Sequence, residues 1–361
     1  MNLHADGSAA LQALLATIDG ATRTIDVCTF ILGRDTVGHR IVGVLGAKAR
    51  AGVRVRLLID GLGSMMCAPP DLAALVAAGA TCAVFAPPFR SPLHGRWNLR
   101  DHRKLVLADA ALPTGRMWCG GRNLATEYFE GGPRTPPWRD LTFDLGGPLV
   151  QQAATLFDND WVFATDGDAR RAVPPDRSQV VPGAGGAQLV ASGPDQSDDT
   201  IYQLLVTSAY RATDRVALVT PYVVPDPALL TALVLAARRG VAIDLLIPRR
   251  SNHRLSDFVR GRALRSLAAA GVRVWLAPGM LHAKLAVVDD VLALAGSANL
   301  DSRSFFLNFE LMVAFHDVQD VGRFRAWFDL ERAGAARYEP HEPGVVRDIA
   351  DGLLLWVAFQ L

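Results

Sequence analysis

No apolar run in this sequence approaches the ~18–20 residues that a helix needs to cross a bilayer. The nearest is 352–361, whose length suits a helix docked on the core better than one lying in a membrane interface. The first residues lack the cationic start and apolar run of a secretory signal. Cysteine is scarce: Cys28, Cys67, Cys82 and Cys119 stand far apart, with no C-x-x-C pair and no Cys or His neighbour at zinc-ligand spacing. Disulfide or metal staples are therefore not expected, and a reducing compartment is the simplest home. An excess of one charge is lacking too. Against 36 acidic residues stand 37 Lys and Arg, a net charge of +1, which argues against a surface that coats nucleic acid but leaves room for a local basic cleft. Aromatic residues, 7% of the chain, offer few platforms for base stacking.

What is present is a folded-protein composition, half hydrophobic and one-fifth charged, and a length of 361 residues that at ~150 per domain suggests two domains or one built twice. The second alternative is visible in the sequence. A strand pattern at 24–31, a helical stretch at 38–51 and a strand at 53–59 reappear as a strand at 215–220, a helix at 228–239 and a strand at 241–247. The parallel continues with a helix end closed by Gly79 before a strand near 83–85, and one closed by Gly271 before 272–276. Strands rich in Val, Ile and Leu alternating with helices imply a sheet covered on both faces. The expected fold is thus α/β: two α/β sandwich domains, 1–165 and 187–361, with mixed sheets flanked by helices. A seam at 166–186, crowded with Pro, Gly, Arg and Ala, joins them.

Each half carries the same polar constellation, H-x-K-x4-D and then a small-residue pair with Asn. In the first it is His102, Lys104 and Asp109, followed by Gly120, Gly121 and Asn123; in the second, His282, Lys284 and Asp289, followed by Gly296, Ser297 and Asn299. On a strand, positions i and i+2 share a face, so each His is expected to look the same way as its Lys. Asp109 and Asp289 end these strands and are expected to support the turn rather than face substrate. Gly121 and Ser297 would let backbone approach a ligand, with the Asn amides beside it. If the halves pack about a pseudo-twofold axis, two His, two Lys and two Asn converge on one point.

That set suits a phosphodiester. Lysines and amides can hold anionic oxygens and stabilise a pentacoordinate phosphorus without a metal or cofactor. One His can form a covalent phosphohistidine while the other acts as general acid and base. Either ring can play either part near neutral pH if a carboxylate orients it. Asp140 and Glu310, each downstream of a motif at the start of a strand, are the candidates.

With these residues the chain resembles the phospholipase D superfamily, whose members build one active site from two H-x-K-D motifs, and within it most closely the bacterial cardiolipin synthases. The likeness runs from about Asp6 to about Leu330 and includes 98–104, 120–123, 138–140, 278–284 and 296–304. It implies His102 as nucleophile, His282 as general acid/base, and transfer of a phosphatidyl group from one phosphatidylglycerol to another, giving cardiolipin and glycerol. Such synthases often carry transmembrane helices ahead of the catalytic part. None is found here, so the expectation is a peripheral enzyme on the cytoplasmic leaflet, acting on anionic phospholipid as a monomer with an intramolecular site and no obligate nucleic acid.

A phospholipase D that uses water as acceptor, a nuclease of the same superfamily and a non-catalytic membrane scaffold are the alternatives. Ten residues separate Asp109 from Gly120 but six separate Asp289 from Gly296, so 110–115 is expected to form a longer hairpin turn at the edge of the site, shifting Asn123. Arg90, Arg96, Arg100 and Arg103, and later Arg249, Arg250, Arg254, Arg260, Arg262 and Arg265, are candidates to attract anionic head groups. Phe85, Phe89 and Trp97 are candidates to dip into lipid. His4, His39, His94, His253, His316 and His341 are read as structural or solvated.

Overall fold

The structure is a computed structural model that describes residues 1–86, 98–166, 186–196 and 198–341. Residues 167–185 of the expected seam, the stretch 352–361, and Arg90, His94, Arg96, Phe89 and Trp97 lie outside the described residues. The chain divides into two units, Met1–Leu189 with Asn308–Leu311, and Val190–Leu307 with the chain from Met312 onward.

The first unit begins β1 (Asn2–His4), α1 (Gly7–Gly20), β2 (Thr24–Thr29), α2 (Thr36–Arg50), β3 (Arg54–Asp60), α3 (Gly61–Met66), α4 (Ala73–Ala77) and β4 (Thr81–Phe85). It continues with β5 (Arg100–Asp101), β6 (Leu105–Ala108), β7 (Arg116–Gly120), α5 (Thr126–Phe129), β8 (Thr142–Gly146) and α6 (Pro148–Asp166). Local chemistry accounts for the elements. The Asp6 side chain accepts from the Ala9 amide at 3.0 Å to start α1, and Leu11, Leu14, Leu15 and Ile18 recur every three or four residues on its buried face. The 7-stranded sheet has the order β1-β8-β7-β6-β2-β3-β4, with β2, β3 and β4 parallel and the rest antiparallel. Alternation along β2 and β3 sends Ile25, Val27, Val55 and Leu57 into the core under α1 and α2. Arg56 looks the other way: its Nε donates to Asp26 at 2.7 Å, and its guanidinium lies over Phe157 and Trp161 of α6. Helices therefore cover both faces.

The second unit takes up the chain within β9 (Ala187–Ser192) and runs α7 (Thr200–Arg211), β10 (Arg215–Val219), β11 (Val223–Val224), α8 (Pro227–Arg238), β12 (Ala242–Pro248), α9 (Arg254–Ala269) and β13 (Arg273–Ala277). Then come β14 (Leu285–Val288), β15 (Leu292–Gly296), β16 (Leu300–Asp301), α10 (Ser302–Phe306), β17 (Asn308–Phe315), α11 (Val318–Ala333) and β18 (Ala336–Arg337). Its sheet runs β18-β13-β12-β10-β14-β15-β17. Strand for strand, β13-β12-β10-β14-β15-β17 repeats β4-β3-β2-β6-β7-β8, the duplicated plan that the sequence spells out. Gly52 and Gly240, which close the matched helices before β3 and β12, have φ of 88° and 98°, a left-handed conformation that a side chain would strain.

The four extra residues of the first half are absorbed where β6 turns into β7. Leu105 pairs with Cys119 just as Leu285 pairs with Ala295, so Gly120 and Gly296 return at the same register. The turn lies at the end of β6 away from His102, and the expected shift of Asn123 at the edge of the site does not arise there.

Candidate active site

Within the first unit, His102 follows β5, whose Arg100 and Asp101 pair with Asn308 and Phe309 of β17. Leu105 then opens β6, which pairs instead with β2. Residues 102–104 cross from one ladder to the other, so the H-x-K triplet precedes its strand rather than lying in it; 282–284 likewise precede β14. The His102 amide still donates to the Phe309 carbonyl at 2.9 Å. This crossing puts the ring against a carboxylate from far along the chain: His102 Nδ1 lies 3.0 and 3.1 Å from the two oxygens of Glu310. Glu310 is fully buried and also accepts from Asn308 Nδ2 at 3.2 Å. A carboxylate at Nδ1 selects the tautomer with its proton there, which leaves the lone pair on Nε2. The Phe30 ring meets the imidazole edge-on at 5.1 Å, and Lys104 Nζ donates to the His102 carbonyl at 2.6 Å.

Behind His102 lies a buried ionic network that sequence reasoning missed. Asp101 accepts from the Arg103 amide at 3.0 Å and from the Cys28 thiol at 3.1 Å. The Arg103 guanidinium pairs with Asp160 of α6, and its Nε donates to the Glu310 carbonyl at 3.2 Å. Asp60 accepts the Asp101 amide at 2.8 Å. Burial pushes the Asp60 carboxyl up to about 7, against the opposing pull of the Gly63 and Asp101 amides and the Arg100 charge. Burial likewise raises the Asp101 carboxyl, and the Cys28 thiol well above the usual range. Arg103 and Arg100, grouped in sequence as head-group candidates, are buried, Arg103 completely. The only signal was a basic residue inside the motif itself, where Ala283 stands in the second. Phe85, a candidate for lipid contact, is also buried, packed against Phe163 and Phe309 at 4.9 Å each. Arg260 is buried too, donating to the carbonyls of Pro248 and Arg249.

The remaining first-half residues are held locally. Asp109 has φ 50° and accepts from the amides of Thr22, Arg23 and Thr24 at 2.7 to 2.8 Å and from the Thr22 hydroxyl. Asp289, at φ 47°, repeats this with Thr213, Asp214 and Arg215. In both, partial burial raises the carboxyl, but the donated hydrogen bonds outweigh it and hold the group below its ordinary range. Each clamps the chain entering the neighbouring strand rather than only its own turn. At Gly121 a Cβ would fall 2.2 Å from Asp140 Oδ1, so the backbone here is pressed against this carboxylate. Asp140 is fully buried, and its charge acts on the buried Arg122. Register makes Asp140 and Glu310 counterparts, since each stands two residues before the partner of its glycine: Thr142 opposite Gly120, Met312 opposite Gly296. Asn123 is tied into the fold, accepting from the Ile31 amide at 3.3 Å and donating to the Tyr128 hydroxyl at 2.8 Å.

In the second unit His282 is buried, and Lys284 Nζ lies 2.8 and 3.0 Å from its ring nitrogens. Ser297 and Asn299 are buried, and Asn299 Oδ1 has no hydrogen-bond partner among the described residues. The two Asn are thus not equivalent in their surroundings.

The fold is of the phospholipase D type. It matches the crystal structure of phosphatidylserine synthase from Haemophilus influenzae Rd KW20 with a TM-score of 0.74, at 14% identity, over 100% of this chain and 95% of that one. In sequence, a family profile described as "Cardiolipin synthase, PLD-like domain" matches residues 205–331. Cardiolipin synthase A of Pseudomonas putida (strain W619) is 36% identical over 343 residues, 92% of this chain and 69% of that protein. Cardiolipin synthase A of Pseudomonas aeruginosa (strain LESB58) is 34% identical over 348 residues, 96% of this chain and 70% of that protein. The chain belongs to the cardiolipin synthase family of phospholipase D-like phosphatidyltransferases.

Proposed function

We propose that the protein transfers a phosphatidyl group between two molecules of phosphatidylglycerol, giving cardiolipin and glycerol, at the cytoplasmic face of the membrane and with both motifs of one chain serving one phosphodiester. The observation that carries this reading is the Glu310–His102 pair, in which the carboxylate holds Nδ1 and so leaves Nε2 as the nitrogen open to phosphorus when the ring is neutral. In the first step His102 Nε2 attacks phosphorus, the bond from phosphorus to the glycerol head-group oxygen breaks, and His282 gives that oxygen a proton. In the second, His282 takes the proton from a hydroxyl of the acceptor phosphatidylglycerol, whose oxygen attacks phosphorus as the phosphorus–nitrogen bond breaks. Lys104 and Lys284 bind the non-bridging oxygens and stabilise their growing charge, with the Asn299 amide beside them and Asn123 shaping the wall. An anionic phosphate drawn to Lys284 offsets the ammonium beside His282, so that ring can hold the proton it must deliver. Asp140, the register counterpart of Glu310, is the second carboxylate assigned to the site.

The test is incubation of purified protein with phosphatidylglycerol vesicles and mass spectrometry of the products. Cardiolipin and glycerol in equal amounts are expected, and none with His102→Ala. Phosphatidic acid as the sole lipid product would replace the acceptor alcohol with water, and no turnover of phosphatidylglycerol would overturn the reading.

A further inference from the structure

Residues 61–70 carry no charge in a chain where one residue in five is charged. The stretch begins with α3, and its Met65 and Met66 are 58% and 63% exposed, an adjacent pair of large apolar side chains turned to solvent. Water is a poor environment for such a pair, and the thioether side chain, unbranched and flexible, suits contact with a fluid apolar phase.

Two features fix this helix beside the nucleophile. Gly63 is pressed so closely on Phe30 that a Cβ would fall 1.7 Å from its carbonyl oxygen, and the Phe30 ring is the one that meets His102. Asp60 joins the two elements directly. Its Oδ1 accepts the amides of Leu62 and Gly63, which open α3, while its Oδ2 accepts the amide of Asp101, the residue before His102. With a rise of ~1.5 Å per residue, Met65 and Met66 stand within one turn of that contact. Arg34, exposed, lies beside Cys67 at the end of the helix, where the Asp35 and Glu127 carboxylates also act, so the apolar pair rather than charge is what this end of α3 offers a membrane.

We propose that α3 is a bilayer-docking element, with Met65 and Met66 entering the acyl layer of an anionic phospholipid membrane so that a lipid phosphate reaches His102 while its chains stay in the membrane. This rests on the reading that His102 attacks a phospholipid. The substrate is the argument for the occupant: its phosphate and acyl chains are covalently joined, so an apolar surface one aromatic ring away from the nucleophile faces whatever holds those chains.

The experiment compares the full-length wild type with M65S/M66S and M65L/M66L in two measurements. One is sedimentation with vesicles of phosphatidylglycerol and phosphatidylcholine; the other is the ratio of turnover on those vesicles to turnover on monomeric dihexanoyl-phosphatidylglycerol. The serine pair should weaken vesicle partitioning at least ~10-fold and lower the activity ratio by a similar factor, and the leucine pair should restore both. Partitioning of the serine variant equal to wild type overturns the proposal. So does a loss of turnover on both substrates with partitioning intact, which would place the methionines in the substrate pocket instead. Should the wild type turn over neither form of lipid, the phosphatidyl-transfer reading fails, while vesicle partitioning still decides whether α3 docks.

Discussion

Glu310 is buried, holds a histidine and is itself held by Asn308, so Glu310→Gln keeps the shape and removes the charge that favours the Nδ1 proton. The expected outcome is a fall in kcat of ~10²-fold, with KM for phosphatidylglycerol little changed and the acid limb of the pH–rate profile displaced, checked by steady-state kinetics across pH. A different kind of carboxylate sits at Asp109. Its hydrogen bonds hold its folded pKa below the ordinary value near ~3.9, so it contributes stability above that pH and loses it as the pH falls through the folded value. Asp109→Asn should therefore cost about 2 kcal/mol at pH 7, and the gap to wild type should narrow as the pH falls through the folded value, as read by urea unfolding at each pH. The residue types at these positions were legible in sequence. The acceptor bonds of Asp109 to the strand entry were not, because the donors are backbone amides some 85 residues away in the chain.

Among the elements, the connection between β5 and β6 matters most, because it leaves one ladder for another in three residues and is anchored to α6 by a buried ion pair. Arg103→Met removes a charge partner from the buried Asp160 and should cost about 3–5 kcal/mol. Adding Asp160→Leu should return at least half of that, measured by thermal unfolding of the single and double variants. Sequence periodicity found β6 and β14, since each is a short Val- and Leu-rich run bounded by polar motif residues. It put the H-x-K triplets into those strands as well, and there the structure differs: strand pairing depends on the neighbour, and the residues before Leu105 follow β17 rather than β2. The longer turn after Asp109 shows the opposite case. An inserted length visible in sequence changes nothing at Gly120, because a hairpin absorbs it where the register is already closed.

At the scale of the molecule, the proposal that one chain supplies both motifs predicts that His102→Ala and His282→Ala, each inactive, stay inactive when mixed. Recovery of cardiolipin formation in the mixture would show that sites are shared between chains. The sequence by itself determined the duplicated α/β plan, because strand and helix periods are local and the same spacings occur twice. It likewise determined the His, Lys, Asp and Asn set, because the repeat singles those residues out. Only tertiary structure decided that Glu310, downstream of the second motif, serves the first histidine: β17 gives its opening residues, Asn308–Leu311, to the first unit. Tertiary structure also decided that Arg103 and Phe85 are core rather than surface. A hydrogen bond between residues 208 positions apart is set by which strands pair, and strand pairing minimises the free energy of the whole chain rather than of any window of it.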